Sequence, residues 1–361
     1  MMKSLRSLNP LSCAHPTASW RLGGGLLLLL VLLLSWSLPA LAQPPSTQPA
    51  DARRELMQTL PGVTSDYWRD VQGGVSGTTS SRSPGADTLI MVEGQRWREW
   101  RNQWVSPGGL LALGGSALGI LGFYLLFGQI KLAHPRTGRK VERWTPLDRA
   151  IHWYVASLFM ILALTGLMLL YAKWFMQPIL PASVWGSLMV AAKNIHNYLG
   201  PLFSLGLLVM ILKWIKHNAY TRVDLAWFKQ GGGILIKGRH PSAGYLNGGE
   251  KTWFWLVTFL GLTVVISGLI LDFPNFGQSR ETMQTTLLIH AAGALILIAA
   301  SFGHIYIGTA GTEGAFEGMK TGYVDEAWAK QHHDLWFEEV KDQLVEAPKT
   351  PAAPETTPVQ S

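Results

Sequence analysis

The sequence predicts an all-α integral membrane protein: five transmembrane helices behind an N-terminal export signal. Three observations predict it. Charged residues make up 15% of the 361 positions, well below the roughly 25% of soluble domains, while apolar residues make up 48%. Mean hydropathy is +0.17, too high for a typical soluble enzyme and too low for a chain that is membrane throughout. The charge is also unevenly placed, because five stretches, 102–130, 150–172, 194–212, 252–271 and 282–312, contain no Asp, Glu, Lys or Arg.

Residues 1–42 read as a signal peptide. Lys3, Arg6 and Arg21 form a basic region, Leu26 to Leu34 is leucine apart from Val31, and Ala40-Leu41-Ala42 supplies the small-x-small cleavage pattern. An uncleaved first span is the alternative. Cleavage removes Cys13, the only cysteine, and takes the formal net charge from +7 to +4. One thiol builds no disulfide, iron–sulfur cluster, Cys-rich zinc site or CxxCH haem attachment, so the ten histidines are the main metal-ligand candidates. Residues 43–105 are Pro-, Ser- and Gly-rich at first, then carry scattered tryptophans, and read as an extracytoplasmic segment with no strong periodicity.

The five charge-free stretches approach or exceed the ~20 residues that cross a bilayer as helix. Trp104, Trp153, Trp174, Trp214, Trp253 and Trp255 lie near their ends, as an aromatic belt requires. The loops set the orientation. Segments 131–149 and 213–251 carry six and seven Lys/Arg, whereas the opposite loops carry Lys173, Lys193 and Arg280. Thirteen against three places the rich loops in the cytoplasm, in agreement with the export signal. The organisation is then one transmembrane helix at 106–130, four more within 131–312 and a cytoplasmic tail at 313–361, Pro- and Thr-rich at its end.

Four histidines lie in or at the ends of spans: His152, His196, His290 and His304. An ionisable group at membrane depth points to function, although any one histidine reads equally well as interhelical hydrogen-bonding glue. Their spacing favours metal ligation. His290 and His304 are 14 residues apart, which returns to within about 40° of the same helix face with a rise of ~21 Å. With alternating spans, His152 meets His304 near the cytoplasmic side and His196 meets His290 near the outer side. Each level offers two imidazoles and no Cys or acidic third ligand. That suits six-coordinate haem iron better than four-coordinate zinc, and predicts two b haems. Gly200, Gly293, Gly303 and Gly308 flank the histidines; a flat macrocycle needs such gaps, and close helix packing needs them equally. His15, His134, His217, His240, His332 and His333 read as solvated or loop-packing residues, and Gly115-x-x-x-Gly119 as a close-packing motif of low specificity.

Several segments resemble one family. Leu147-Asp148-Arg149-Ala150-Ile151-His152-Trp153 is similar to the DRxxHW opening of the cytochrome b (gamma) subunit of respiratory formate dehydrogenase. Asn194-Ile195-His196 with Gly200 resembles its second ligand helix, and Leu287 to Gly293 its fourth-helix signature, with His304 at the second ligand position there. His240-Pro241, Gly244, Asn247-Gly248-Gly249-Glu250-Lys251 and Phe254-Trp255 resemble its third-helix approach. Gly318-Met319-Lys320, Trp328-Ala329-Lys330, His332-His333 and Trp336 resemble its tail. The similarity covers about 141–340 and leaves the helix at 106–130 outside, as an additional one.

The resemblance implies a membrane-anchoring di-haem cytochrome b four-helix bundle in the bacterial inner membrane, with His152, His196, His290 and His304 as axial ligands to haem iron. It implies an iron–sulfur beta subunit and a molybdenum or tungsten alpha subunit as partners, so this chain passes electrons and does not itself oxidise formate. It implies a quinone acceptor beside the cytoplasmic-side haem, lined by Asn247 and Gly249 with His304 near. The family usually has Gln where Glu250 stands, which opens a proton-donating role for that carboxyl beside the plainer one of facing headgroups. No nucleophile–base set or phosphate loop marks a stand-alone enzyme, and no nucleic-acid partner is expected. The alternatives are the cytochrome b subunit of a related complex, nickel–iron hydrogenase or thiosulfate reductase, or a transporter whose histidines relay protons.

Overall fold

The structure, a computed structural model, describes residues 92–346 except 234, 235 and 237, together with Arg69. The predicted signal peptide and most of the 43–105 segment lie outside the described residues. Apart from Arg69, everything described belongs to the compact unit Ile90–Ser361.

Among the described residues, five helices are long and apolar enough to cross a membrane. The first is continuous from α1 (Val92–Glu99) through a π-helical turn (Trp100–Val105) into α2 (Ser106–Phe127). The four-helix bundle is α3 (Pro146–Phe175), α4 (Ala182–Trp214), α6 (Gly248–Asp272) and α7 (Arg280–Tyr306), with the short α5 (Arg222–Lys229) in the α4–α6 connection. Large apolar side chains face outward, Leu111 at 76%, Leu126 at 80% and Leu212 at 65% exposure, which suits lipid and not water.

Two predicted boundaries move. The charge-free criterion starts the third span at residue 194, but α4 begins twelve residues earlier at Ala182, so Lys193 is inside a helix and not in a loop. Helix also begins at Val92, inside the segment read as lacking periodicity. In both places a charged side chain that lies at a membrane end interrupts the apolar run without interrupting the helix.

The bundle has two unlike ends. At one, here called the capped end, α3 and α6 begin and α4 and α7 finish. Each starting helix carries a reciprocal cap. Thr145 accepts from the Asp148 N–H while the Asp148 carboxylate accepts from the Thr145 N–H, and Asn247 and Glu250 do the same for α6. Asp148 also accepts from Trp214 Nε1 at 2.8 Å, which pins the start of α3 to the end of α4.

Over this end folds the tail: a π-helical turn (Ile307–Gly311), α8 (Ala315–Thr321), α9 (Glu326–His332) and α10 (Asp334–Val340). A three-stranded antiparallel sheet, not anticipated from the sequence, joins β1 (Arg139–Glu142) to β2 (Tyr323–Asp325) and β3 (Val345–Glu346) in the order β2-β1-β3. Val141 pairs with Val324, and both are fully buried with Trp328, Trp336 and Phe337. The other end, the open end, holds the short α3–α4 and α6–α7 connections.

The additional helix lies against α7. Ser116 Oγ donates to the Ala299 carbonyl at 2.7 Å, and Phe123 and Tyr124 meet Tyr306 edge-on. Inside the bundle, Val155, Phe203, Leu207, Met210, Ile211 and Phe254 form the apolar core of α3, α4 and α6. Gly206 and Gly261 let those helices approach, since a Cβ at Gly206 would lie 2.5 Å from the Tyr154 ring and one at Gly261 2.9 Å from Leu207.

Candidate functional site

The structure brings the four span histidines together in two pairs. His196 of α4 faces His290 of α7 with ring centres 6.1 Å apart and planes at 83°. His152 of α3 faces His304 of α7 with ring centres 6.3 Å apart and planes at 53°. One helix therefore supplies one member of each pair.

The separations permit a fit test. An imidazole bound through one nitrogen puts its ring centre about 3 Å from a metal, so two axial imidazoles put their centres about 6 Å apart. Both pairs meet that distance. Among the described residues no group of three or more His, Cys, Asp and Glu side chains is arranged to hold a metal ion, so each pair offers two protein ligands and no third.

In the 196/290 pair the outward nitrogens are fixed. His290 Nδ1 lies 3.0 Å from the Val264 carbonyl, which can only accept, so Nδ1 carries the proton and Nε2 keeps its lone pair. Ser267 Oγ is a second neighbour of Nδ1 at 3.2 Å. His196 Nδ1 lies 2.9 Å from Thr165 Oγ1, whose own proton is spent on the Ile161 carbonyl one turn back, so Thr165 accepts and His196 takes the same tautomer. An Nδ1–H bond that orients the ring and frees Nε2 is the usual support of a metal-binding histidine.

Glycine makes the approach possible. A Cβ at Gly166 would lie 3.2 Å from His196 Cε1, and one at Gly268 3.1 Å from His290 Cε1. Thr165-Gly166 on α3 and Ser267-Gly268 on α6 thus repeat one device, a hydroxyl that orients an imidazole and a glycine that admits it. Sequence reasoning looked for small residues beside the histidines on their own helices and missed these; the shared hydroxyl–Gly dipeptide, one per neighbouring helix, was the available signal. Of the glycines it did select, Gly293 packs against Val264, whereas Gly200, Gly303 and Gly308 face open space. A cavity of ≈ 440 Å³ adjoins this pair, walled by apolar side chains such as Phe159, Leu162, Phe203 and Ile298 and bordered by Gly200.

The 152/304 pair is held differently. His304 stacks on Trp253 at 4.5 Å and 8°, and His152 meets Trp153 edge-on at 5.1 Å. His152 Nδ1 is buried with no hydrogen-bond partner, a polar atom left for something else to satisfy. The flanking motif residues are structural: Arg149 donates to the Lys320 carbonyl and Trp153 Nε1 to the Met319 carbonyl, which docks α8 on α3.

Asn247 and Gly249 sit at the same capped end. Asn247 Oδ1 is taken by the Glu250 N–H, and no partner holds its Nδ2 among the described residues. Gly249 lies under Trp227, 3.0 Å from a Cβ placed there. Glu250 caps the Asn247 N–H and accepts from Arg143 Nη2 at 2.9 Å. Arg143 is buried among the rings of Trp144, Tyr245, Trp328 and Trp336, each 5.1–5.5 Å away.

His333 completes this cluster, its Nδ1 donating to the Gly244 carbonyl at 2.8 Å and its Nε2 facing Arg143. Burial first, then the Arg143 charge, hold His333 well below its ordinary pKa, so it is neutral. Burial likewise pushes His332 to about 3, and Tyr245 up to about 12.

Comparison with known proteins follows the same boundaries. The profile of the family described as prokaryotic cytochrome b561 matches residues 143–322, which contain α3 to α7 and all four histidines, and leaves α1 and α2 outside. The nitrate-inducible formate dehydrogenase cytochrome b556(Fdn) subunit of Escherichia coli K12 is 29% identical over 209 residues, 56% of this chain and 93% of that protein. The formate dehydrogenase cytochrome b556(fdo) subunit of the same organism is 29% identical over 205 residues, with the same coverage. The formate dehydrogenase cytochrome b556 subunit of Haemophilus influenzae is 27% identical over 215 residues, 58% of this chain and 87% of that protein.

Proposed function

Residues 143–322 make this chain a member of the prokaryotic cytochrome b561 family, a multi-pass membrane cytochrome b, and from that premise we propose that it is the electron-transfer and anchoring subunit of a formate dehydrogenase complex. In this reading His196 with His290, and His152 with His304, are the axial ligands of two b haems. Electrons enter from an iron–sulfur subunit, itself fed by a molybdenum or tungsten subunit that oxidises formate, and leave to membrane quinone. The chain lies in the bacterial inner membrane with its N-terminal segment periplasmic. Its capped end and C-terminus are cytoplasmic, as the thirteen-to-three excess of Lys and Arg toward that end of the bundle supports.

The observation that carries the proposal is the pair of facing imidazole couples, 6.1 and 6.3 Å between ring centres and joined by one helix. Bound haem supplies one-electron chemistry between its two iron states. The residues of this chain do the rest. Thr165, Ser267 and the Val264 carbonyl hold His196 and His290 with Nε2 free, and the apolar walls exclude water. At the capped end the Asn247 amide offers a donor to a quinone carbonyl, and Gly249 lets the ligand approach the backbone. Glu250 caps α6 and accepts from Arg143 beside them.

Pyridine haemochrome analysis of the purified chain is expected to give two haems b per polypeptide. A ratio near zero sinks the proposal, and a ratio near one sinks the two-level arrangement. Enrichment of formate-reducible haem on co-purification with its partner subunits is the companion result; haem reducible by hydrogen but not by formate transfers the chain to another complex.

A further inference from the structure

The cavity beside His196 and His290 is mostly apolar; beyond the two histidines its lining includes the polar Asn197 and Ser204 and three charged residues, Arg101, Lys193 and Asp272. Lys193 lies three residues before His196 on α4, and Asp272 ends α6. Arg101 comes from elsewhere. It belongs to the π-helical turn of the additional helix, outside the residues the family profile covers.

That turn is fixed on the bundle. The Ser106 N–H bonds the Arg101 carbonyl five residues back, which widens the turn; such π segments recur at functional sites. Tyr171 of α3 donates its hydroxyl to the Ser106 carbonyl at 2.8 Å. Gly109 sits so close that a Cβ would lie 2.4 Å from both Leu295 and the Tyr171 hydroxyl. Arg101 is therefore held at the cavity by contacts in the one to two turns that follow it. Its guanidinium rests 5.8 Å from the Trp97 ring, a contact with the ring face that leaves the N–H donors unspent. It makes no ion pair among the described residues.

A cavity with apolar walls and cations at one end is complementary to a flat apolar group with acid groups on one edge. Haem b is such a group, and its two propionates need partners wherever they leave water. We propose that Arg101 pairs with a propionate of the haem held by His196 and His290, with Lys193 as the second cation. This rests on reading those histidines as haem ligands. The additional helix thereby completes the cofactor pocket, and the planar fork of arginine suits a carboxylate better than a point charge does.

Optical redox titration of the purified chain tests this, the relevant component being the one that His290→Ala abolishes. Arg101→Gln is expected to move the midpoint of that component to more negative potential, because a lost cation stabilises the oxidised form. Asp272→Asn, which removes the opposing charge, is expected to move it the other way, and the second component is expected to stay in place. An unmoved midpoint in Arg101→Gln, or an equal movement of both components, overturns the proposal. Where Arg101→Gln sheds this haem, Arg101→Lys decides: retention supports the pairing, and loss there too overturns it. A wild-type chain lacking this component fails the ligand reading itself, before any variant is made.

Discussion

The two histidine pairs have the same separation and are supported by opposite means. At the open end each imidazole is gripped through its Nδ1 by a hydroxyl or carbonyl of a neighbouring helix, and the surroundings are apolar. At the capped end His304 stacks on Trp253 and His152 meets Trp153 edge-on, with no Nδ1 partner for His152, while charged pairs hold the surrounding helices. Lys251 and Asp224 form one such pair at 2.7 Å, with exposures of only 8% and 4%. Arg143, Glu250 and His333 form another. The difference teaches that ring orientation comes from first neighbours at one level and from the rigidity of the scaffold at the other.

The largest test of the comparison removes ligands. His196→Ala and His290→Ala are each expected to take the haem count from two to one and to abolish the same spectral component. His152→Ala and His304→Ala are expected to abolish the other. A match between His196→Ala and His304→Ala would break the pairing altogether.

The next tests the scaffold of the capped end. Asp224→Asn leaves the Lys251 ammonium buried without its counter-ion, at a cost of about 3–5 kcal/mol. Burial raises the Asp224 carboxyl pKa, but the hydrogen bond from Lys251 and those from Thr221 outweigh it, so the net value lies below the usual carboxylate range. A depressed carboxyl contributes stability above its unfolded pKa and loses it as pH falls through the folded value. Thermal unfolding in detergent is therefore expected to show wild type losing stability below about pH 4 and Asp224→Asn losing less across that window. The haem component tied to His152 and His304 is expected to broaden in this variant before the other does.

The open end is tested by its hydroxyls. Thr165→Val keeps the shape and removes the acceptor for His196, and is expected to weaken haem retention at that level by about 10–100-fold. Ser267→Ala is expected to do less, because the Val264 carbonyl still holds His290. Transfer of haem to an apoprotein scavenger measures both. Equal retention in Thr165→Val and wild type would make the two ends alike in their reliance on the scaffold.

What could be read from the sequence follows the same division. The pairs were legible because 14 residues is close to a whole number of helical turns, and because alternating spans leave each histidine one available partner level. The extent of α4 was not, because Lys193 breaks an apolar run while leaving helix geometry untouched. The sheet over the capped end was not, because β1 is four residues long and its partners are nearly two hundred positions away. His333 read as a loop residue, yet it is fully buried; only the folded tail brings it to Arg143 and the Gly244 carbonyl. The bonds of Glu250 were not legible either, since the arginine that shares its oxygens with the helix cap lies 107 positions away.

The smallest expected effect concerns Asn247, where one side chain serves two roles that can be separated. Its Oδ1 caps α6 and its Nδ2 is the donor proposed for quinone. Asn247→Ala removes both, so slower quinone reduction in that variant could reflect a frayed helix, a cap being worth about 1 kcal/mol. Asn247→Asp keeps a capping acceptor and removes the donor. If the amide binds quinone, reoxidation of the reduced haems by quinone is expected to slow about fivefold in both variants, the worth of one hydrogen bond, while the unfolding midpoint drops only in Asn247→Ala. If Asn247→Asp reoxidises at the wild-type rate, the amide has no part in the acceptor site. Asn247 is then a structural residue of the capped end like Asp148 and Asp224, and the search for the acceptor moves to the open end of the bundle.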